Sequence, residues 1–213
     1  MIQEFDKHFK DWVSSACKDW CYPEPSDEYF ARVYKRLPEG LRALLGLGIK
    51  EGLIISQDRT FTLKGLSPKK GPYNWFRQNS SAKEPAPNWE YFVQVAEFVR
   101  LYHIAQAKGL VLTFEDKWMD LALYLNDKLV ICCEIKERAS QLQKLIEGIK
   151  GYQQSIKFPE ADRGNDPLRK AKYISERRPE YFCGVAIGVR FEYRVNYPEG
   201  HAFQLVEDII PWI

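Results

Sequence analysis

The sequence predicts an α/β (α+β) chain in which a small helical module precedes a central mixed sheet flanked by helices. Three observations support this prediction. Apolar residues recur at three-to-four spacing over the first fifty positions, as in amphipathic helices. A long, largely apolar helix pattern then leads into short apolar runs joined by turn residues, and further helix and strand patterns follow. With 213 residues, 45% of them hydrophobic, the chain can bury one large core or two small ones.

The bulk composition limits the classes of protein to consider. The net charge of +2 is small, so it neither requires nor excludes a nucleic-acid partner. No apolar run reaches the length of a membrane span, and the N-terminus lacks the apolar region of a signal peptide. We therefore expect a cytoplasmic protein with no membrane partner. Three of the five cysteines lie in apolar strand patterns, and the pair Cys17 and Cys21 would need two more clustered ligands to hold zinc.

Residues 1–66 are predicted to form an N-terminal module. Helix patterns cover residues 4–20, about 27–37 and 39–50, and a hairpin pattern follows them, with its turn around Gln57-Asp58-Arg59. The order of three helices and a hairpin resembles a winged helix-turn-helix module, on the residues Leu44-Leu45, Lys50-Glu51-Gly52-Leu53-Ile54, Phe61-Thr62-Leu63 and Gly65. This resemblance implies DNA contact, for which the third helix offers Arg42 and Lys50. A helical scaffold or a dimerisation element is the alternative.

Residues 67–87 have the composition of a linker, since Pro, Gly, Ser and Lys dominate them. Trp75 and Phe76 indicate that part of this segment packs against the protein. Lys69 and Lys70 are candidates for contact with a nucleic-acid backbone. A solvated basic linker is the other interpretation.

Residues 88–213 are predicted to form the second domain. Asn88 caps a long, mostly apolar helix that ends near Lys108, before Gly109. The remaining predicted elements are a strand over 110–114, two strands within 118–137, a helix from 138 to about 155, a strand over 181–189 and a C-terminal hairpin of 191–197 with 201–206.

The segment Trp118–Glu137, WMDLALYLNDKLVICCEIKE, carries charged residues at the ends of two apolar runs. An unpaired buried charge is costly, so these charges require a reason. If Asp120 lies opposite Glu134, then the turn is the three-residue loop Asn126-Asp127-Lys128. Side chains alternate along a strand, so Asp120, Glu134 and Lys136 then share one face of the sheet.

The length of the turn matters for this prediction. A two-residue turn would place Asp120 opposite Cys133 and send Glu134 to the other face. The shared face therefore requires the three-residue loop or an equivalent β-bulge. With Asp120 opposite Glu134, Ala122 lies opposite Cys132.

This strand–turn–strand resembles the core of the PD-(D/E)xK nuclease superfamily, which has the restriction-endonuclease-like fold. An Asp on one strand is followed there by Glu-x-Lys on the next, a pattern that Asp120 and Glu134-Ile135-Lys136 match. The order of elements over residues 88–190 also agrees, although Met119 stands where many relatives have proline. The resemblance implies Mg²⁺-dependent hydrolysis of phosphodiester bonds, with Mn²⁺ as a substitute ion.

The resemblance also implies roles for individual residues. Asp120 and Glu134, with the carbonyl of Ile135, would bind the ion through hard oxygen ligands. Lys136 would orient or deprotonate the attacking water and neutralise charge on the phosphate. Many relatives carry a further Glu on the preceding helix, and Glu97, in the apolar middle of that helix, is the candidate.

One branch of the superfamily adds a Gln-x-x-x-Tyr motif on the helix after Glu-x-Lys. Tyr152 stands at the Tyr position of this chain, but Gly148 stands where the Gln is expected. Membership of that branch is therefore not predicted.

A basic stretch near the C-terminus is the main candidate for nucleic-acid contact. A nuclease has to hold a polyanion, and this stretch would contact its backbone beside the active site. The alternative is a solvated helix and loop. The cations are Arg163, Arg169, Lys170, Lys172, Arg177 and Arg178.

The expected function is therefore a Mg²⁺-dependent DNA endonuclease. Small proteins with this fold often act as dimers, which adds a homodimer to the expected assemblies. The alternative from another class is a catalytically inactive DNA- or protein-binding subunit that keeps the nuclease fold. RNA as the substrate is a third interpretation.

Overall fold

The computed structural model describes residues 1–66, 71–154, 156 and 161–211. The chain divides into two compact units, Met1–Arg100 and Leu101–Ile213. Lys69 and Lys70, two of the predicted nucleic-acid contacts, lie outside the described residues. Among the described residues, none of the helices has both the length and the apolar character of a membrane span.

The first unit begins with the three predicted helices, α1 (Ile2–Trp20), α2 (Asp27–Arg36) and α3 (Glu39–Lys50). Ser26 caps α2, because its hydroxyl accepts a hydrogen bond from the Tyr29 N–H. Strands β1 (Ile54–Gln57) and β2 (Thr60–Leu63) form the predicted hairpin. The order of three helices and a hairpin is confirmed, whereas the winged-helix resemblance stays a prediction.

Helix α3 is a packing helix with two points of very close approach. A Cβ atom added to Gly46 would lie 1.9 Å from the carbonyl oxygen of Met1. A Cβ atom added to Gly48 would lie 2.5 Å from a methyl group of Val99. Glycine therefore permits α3 to contact its neighbours along a surface that a larger side chain would block.

The segment with linker composition is folded in its described part. Residues 71–87 contain β3 (Tyr73–Asn74), β4 (Phe76–Asn79) and β5 (Glu84–Pro87). The anchor is Trp75, which is fully buried and stacks on Trp12 at 4.9 Å, Phe61 at 4.0 Å and Phe92 at 4.7 Å between ring centroids. Burial of such a large aromatic side chain offsets the entropy that a linker would retain.

The second unit is built on a six-stranded mixed sheet. Its strands are β6 (Val111–Asp116), β7 (Met119–Leu125), β8 (Lys128–Ile135), β9 (Tyr181–Ala186), β10 (Val189–Asn196) and β11 (Gln204–Glu207). Their order in the sheet is β11-β10-β9-β8-β7-β6, and β8 and β9 are the parallel neighbours within it. A parallel pair needs a long crossover, which here contains α5 (Ala139–Gly151) and α6 (Asp166–Arg177). The predicted mixed α/β class is confirmed.

The long helix α4 (Trp89–Lys108) precedes this sheet and contains the division between the two units.

The turn between β7 and β8 has two residues, so the predicted three-residue loop is wrong. Leu125 pairs with Lys128, and only Asn126 and Asp127 lie between them. Both have positive φ, +48° and +63°. This is the geometry of the tight hairpin turns that match the twist of a sheet, and Asn and Asp tolerate it best among residues with a side chain.

A β-bulge between the turn and the charged residues shifts the pairing of β7 with β8. The pairing shifts between Leu123 and Tyr124. Beyond the shift Ala122 pairs with Cys132, as the sequence predicted. The shared face of the predicted site residues is therefore kept by a bulge instead of by the turn.

Helices α5 and α6 pack closely at Gly148, the position where the Gln-x-x-x-Tyr motif would have its Gln. A Cβ atom on Gly148 would lie 2.8 Å from Cγ of Pro167, in the first turn of α6. Tyr152 has a structural contact, since its hydroxyl accepts a hydrogen bond of 2.8 Å from Asn165, the N-cap of α6. Gly148 is thus explained by helix packing.

Candidate active site

The acids of the predicted site meet at one end of the β7–β8 pair. Asp120 is the second residue of β7, and Glu134 is the last but one of β8. The backbone N–H of Ile135 donates a hydrogen bond of 2.5 Å to Oδ2 of Asp120. Asp120 is partly exposed, whereas Glu134 is 0% exposed. Solvent therefore reaches the pair from the side of Asp120.

Two ammonium groups neutralise the buried carboxylate of Glu134. Nζ of Lys136 lies 2.7 Å from Oε1 and donates a hydrogen bond to it. Nζ of Lys170, on α6, lies 2.6 Å from Oε2. The direction of this second approach is not that of a hydrogen bond, so Oε2 has an ion-pair partner but no hydrogen-bond donor among the described residues. Both oxygens of the buried carboxylate thus have a positively charged partner.

The pKa of Asp120 is raised well above its ordinary value. Burial is the largest cause, because it penalises the charged form, and the nearby carboxylate of Glu134 acts in the same direction. Lys170, Lys136 and the hydrogen bond from Ile135 oppose the shift without cancelling it. A raised pKa of this kind is common where two carboxyl groups lie close together in a largely buried place.

Helix α6 holds the chain that leads into Asp120. The ammonium of Lys170 donates a hydrogen bond to the carbonyl of Trp118. The guanidinium of Arg169 lies 4.6 Å from the centroid of the Trp118 ring. These two residues were predicted as nucleic-acid contacts. Lys170 is instead only 7% exposed and belongs to the acidic site, and Arg169 is stacked within the unit.

Asp116, Tyr124 and Tyr173 form a hydrogen-bonded group that also connects α6 to the sheet. The hydroxyl of Tyr173 donates to Oδ2 of Asp116 over 2.6 Å, and the hydroxyl of Tyr124 donates to the same oxygen. Burial and the neighbouring carboxylate raise the pKa of both tyrosines, so their hydroxyls remain protonated donors. Asp116 thus joins the end of β6 to α6.

The other cations of the predicted basic arm differ in exposure. Lys172 lies 3.6 Å from Asp162 in an ion pair and is mostly buried. Arg163, Arg177 and Arg178 are exposed. The guanidinium of Arg177 donates to the Tyr124 hydroxyl over 3.2 Å, which leaves part of its donor set facing solvent.

One cleft of the second unit lies away from the acids. It has a volume of about 710 Å³, and Arg178, Arg194 and Tyr197 are among its lining residues. Lys128, which also lines it, begins β8, so at the rise of a strand it stands roughly 20 Å from Glu134. Asp120 and Glu134 are not among its lining residues, because they lie at the opposite end of the strand.

Glu97 has an ionic partner within the first unit. Its carboxylate is buried, and it accepts two hydrogen bonds from Arg100, 2.6 Å from Nη2 and 3.0 Å from Nε. A bidentate pair of this kind accounts for an acid in an apolar helix without a metal ion. Glu97 belongs to the unit Met1–Arg100, and its predicted role as a metal ligand stays a prediction.

Arg42, one of the two α3 residues predicted to contact DNA, has partners within the first unit. The guanidinium of Arg42 forms an ion pair of 3.1 Å with Asp6, and it lies 5.1 Å from the centroid of the Tyr34 ring. Lys50 is exposed. This arrangement favours a scaffold role for α3.

The described residues offer a limited set of metal ligands. Within the described ranges, no three His, Cys, Asp or Glu side chains gather where they could hold an ion together. The cysteines are free, and four of them are buried, as expected for small apolar side chains. The donor set is therefore two carboxylates, Asp120 and Glu134, with the Ile135 carbonyl as the predicted third ligand.

Two neighbouring carboxylates can hold one hard divalent cation, which keeps water as further ligands. The two lysines supply donors and positive charge next to the same point. Comparisons of the chain with protein-family models, curated proteins and solved structures give no match. The chemistry of the site therefore rests on its own geometry.

Proposed function

We propose that this chain is a Mg²⁺-dependent DNA nuclease, an endonuclease that hydrolyses phosphodiester bonds on a restriction-endonuclease-like core. The observation that carries the proposal is the meeting of Asp120, Glu134 and Lys136 at one end of the β7–β8 pair. The order β6-β7-β8, antiparallel, followed by two helices and a parallel β9, supports the same core.

The residues present fit one Mg²⁺ ion, for which Mn²⁺ would substitute. Asp120 and Glu134 would hold it with the Ile135 carbonyl. The bound ion supplies a polarised phosphate oxygen and a water of lowered pKa. A carboxyl group that binds a cation has to lose its proton, so the raised pKa of Asp120 makes proton release part of ion binding.

Lys136 is in a position to orient the attacking water. Its ammonium is held 2.7 Å from Oε1 of Glu134, yet the side chain keeps 20% of its surface exposed. It can therefore donate to a water or a phosphate oxygen on the open side while it stays fixed by Glu134. Negative charge that develops on the attacked phosphate is stabilised by such a fixed donor.

A non-cleaving DNA- or protein-binding subunit with the same fold is the second candidate. The observation that favours it is the balance of charge, because Lys136 and Lys170 together offset Asp120 and Glu134. A site that is neutral without metal attracts a divalent ion less than an acidic one does. The winged-helix-like module of residues 1–66 would then supply contacts to DNA or to a protein partner, including a second copy of the chain.

Cleavage of supercoiled plasmid separates the two candidates. The protein is incubated with plasmid and Mg²⁺ or Mn²⁺, beside Asp120→Ala, Lys136→Ala and the control Asp127→Asn. Asp127 lies exposed in the turn at the far end of the same hairpin. We expect cleavage by the wild type and the control, and a loss of about 100-fold or more in the two site variants, as for removal of a charge-stabilising catalytic group. Intact plasmid with every metal, together with retained DNA binding, would favour the binding subunit.

A single-stranded RNA incubated in parallel decides between the two nucleic acids. Cleavage of RNA with intact plasmid would move the proposal to a ribonuclease. The proposed compartment is the cytoplasm, where Mg²⁺ and nucleic acid are both present.

A further inference from the structure

Lys170 is a buried charged residue beside the proposed metal ligands. It lies on α6 and keeps only 7% of its surface exposed. A buried ammonium is costly unless it is paired and hydrogen-bonded. Two contacts satisfy that condition, since Lys170 lies 2.6 Å from Oε2 of Glu134 and donates to the carbonyl of Trp118.

These contacts connect Lys170 to both strands of the site. Trp118 stands two residues before Asp120, and Glu134 is on the neighbouring strand. Lys170 therefore fixes the Oε2 oxygen of Glu134 relative to the chain that carries Asp120. That oxygen is also the one without a hydrogen-bond donor among the described residues.

The charge of the site depends on Lys170. Asp120, Glu134 and Lys136 alone carry a net charge of −1 when both acids are ionised, a charge that attracts a divalent ion. Lys170 brings the sum to zero. Its ammonium also stands within contact distance of Oε2, where a cation bound to Glu134 would stand.

We infer that Lys170 is a positioning residue that occupies the cation place at Glu134 and competes there with the divalent ion. The inference rests on the proposed function, because it takes Asp120 and Glu134 as ligands of that ion. In the resting protein Lys170 holds Oε2. A divalent ion gains this oxygen only when the ammonium withdraws, so Lys170 keeps the affinity for metal low and sets the metal concentration at which the site fills.

Direct binding of Mn²⁺ without nucleic acid tests this inference. Isothermal titration compares the wild type with Lys170→Met, Lys170→Gln and Lys170→Arg, and with Lys144→Met as an exposed control on α5. Met keeps the length of the side chain without its charge, and Gln can still donate to the Trp118 carbonyl. We expect Met and Gln to bind Mn²⁺ more tightly by on the order of tenfold, because a like charge in contact with the ion is removed. The Mn²⁺ affinities of the Arg variant and of the control should stay within about threefold of that of the wild type. This is smaller than the change of about tenfold expected when the charge is removed.

The outcomes distinguish the inference from the proposed function. Folded Met and Gln variants, as judged by circular dichroism, that bind Mn²⁺ no more tightly than the wild type would overturn the competition. If Met does not fold, the Gln variant decides the question. Absence of Mn²⁺ binding in the wild type and in both neutral variants would overturn the proposed function itself. A lower Mn²⁺ concentration for half-maximal plasmid cleavage by the neutral variants would support the inference independently of titration.

Discussion

The N–H of Ile135 donates to Oδ2 of Asp120 over 2.5 Å, so the acid of β7 is bound to the chain that directly follows Glu134. This contact brings together residues that lie on different strands and have a two-residue turn between them. It also fixes Asp120 in a place where burial and Glu134 raise its pKa.

The raised pKa predicts that Asp120 makes stability depend on pH. The stability linked to its proton is complete below the unfolded pKa of about 3.9 and is lost as the pH rises through the higher folded pKa. Asp120→Asn removes this loss and keeps an oxygen for the Ile135 N–H. Urea unfolding in EDTA should therefore show the variant more stable than the wild type at pH 8, by about 1–3 kcal/mol. The difference should shrink at pH 5, and a difference that does not change with pH would contradict the assignment.

The close contact of α5 with α6 predicts opposite effects for two glycines of one helix. Gly148→Ala places a Cβ atom 2.8 Å from Pro167, whereas Gly151→Ala meets nothing within 4 Å. We expect the first to destabilise the protein by about 1–3 kcal/mol through overpacking. The second should be neutral or stabilising by up to about 1 kcal/mol through helix propensity. Urea unfolding measures both, and equal effects would argue against the packing of these helices.

The aromatic stack of the first unit predicts a large cost for loss of Trp75. The ring is fully buried among Trp12, Phe61 and Phe92. Trp75→Ala should reduce the free energy of unfolding by about 3–5 kcal/mol. A loss below about 1 kcal/mol would mean that residues 71–87 behave as a linker. Tyr22→Ala, at a partly exposed ring, serves as the control.

Two exposed arginines of the predicted basic arm are expected to contact the nucleic-acid backbone. Arg163→Gln and Arg178→Gln should each weaken DNA binding and reduce the slope of log K against log salt by about 0.9 if each loses one phosphate contact. Lys108→Gln, exposed at the end of α4, should change neither. Fluorescence anisotropy over a salt series in EDTA measures the slope. Slopes equal to that of the wild type would assign this segment to the solvated surface.

Much of the site was predictable because it is local in sequence. Once Asp120 is placed opposite Glu134, the two-residue period of a strand puts Asp120, Glu134 and Lys136 on one face. The turn was mispredicted, because a β-bulge leaves no clear pattern in a single sequence and depends on how the strands twist. The face was nevertheless correct, since the bulge replaces the third turn residue.

The contact of Lys170 with Glu134 was not predictable, because it joins residues that are far apart in the sequence. Its neighbours in sequence suggested a solvated basic arm. One signal was present, since Lys170 lies on the side of α6 that buries Ala171, Tyr173 and Ile174. A charge on the apolar face of a helix calls for a partner. Glu97, on the apolar helix α4, likewise has a partner, Arg100.

The folding of residues 71–87 was not predictable from their pattern. Strand β5 reads Glu84-Pro85-Ala86-Pro87, and proline is unusual in strands because it cannot donate to the ladder. Its pairing with β4 is fixed by tertiary contacts, above all the burial of Trp75. Composition alone therefore indicated a linker.

The most direct test of the central claim is the stoichiometry of Mn²⁺ binding to the wild type and to Glu134→Gln. Isothermal titration at pH 8 should show about one ion per chain in the wild type, because two carboxylates and a carbonyl suit one hard cation. Binding should be lost in Glu134→Gln, which keeps the shape of the side chain without its charge. Full binding in that variant, with its fold intact by circular dichroism, would contradict the claim that Asp120 and Glu134 form the metal site of a nuclease.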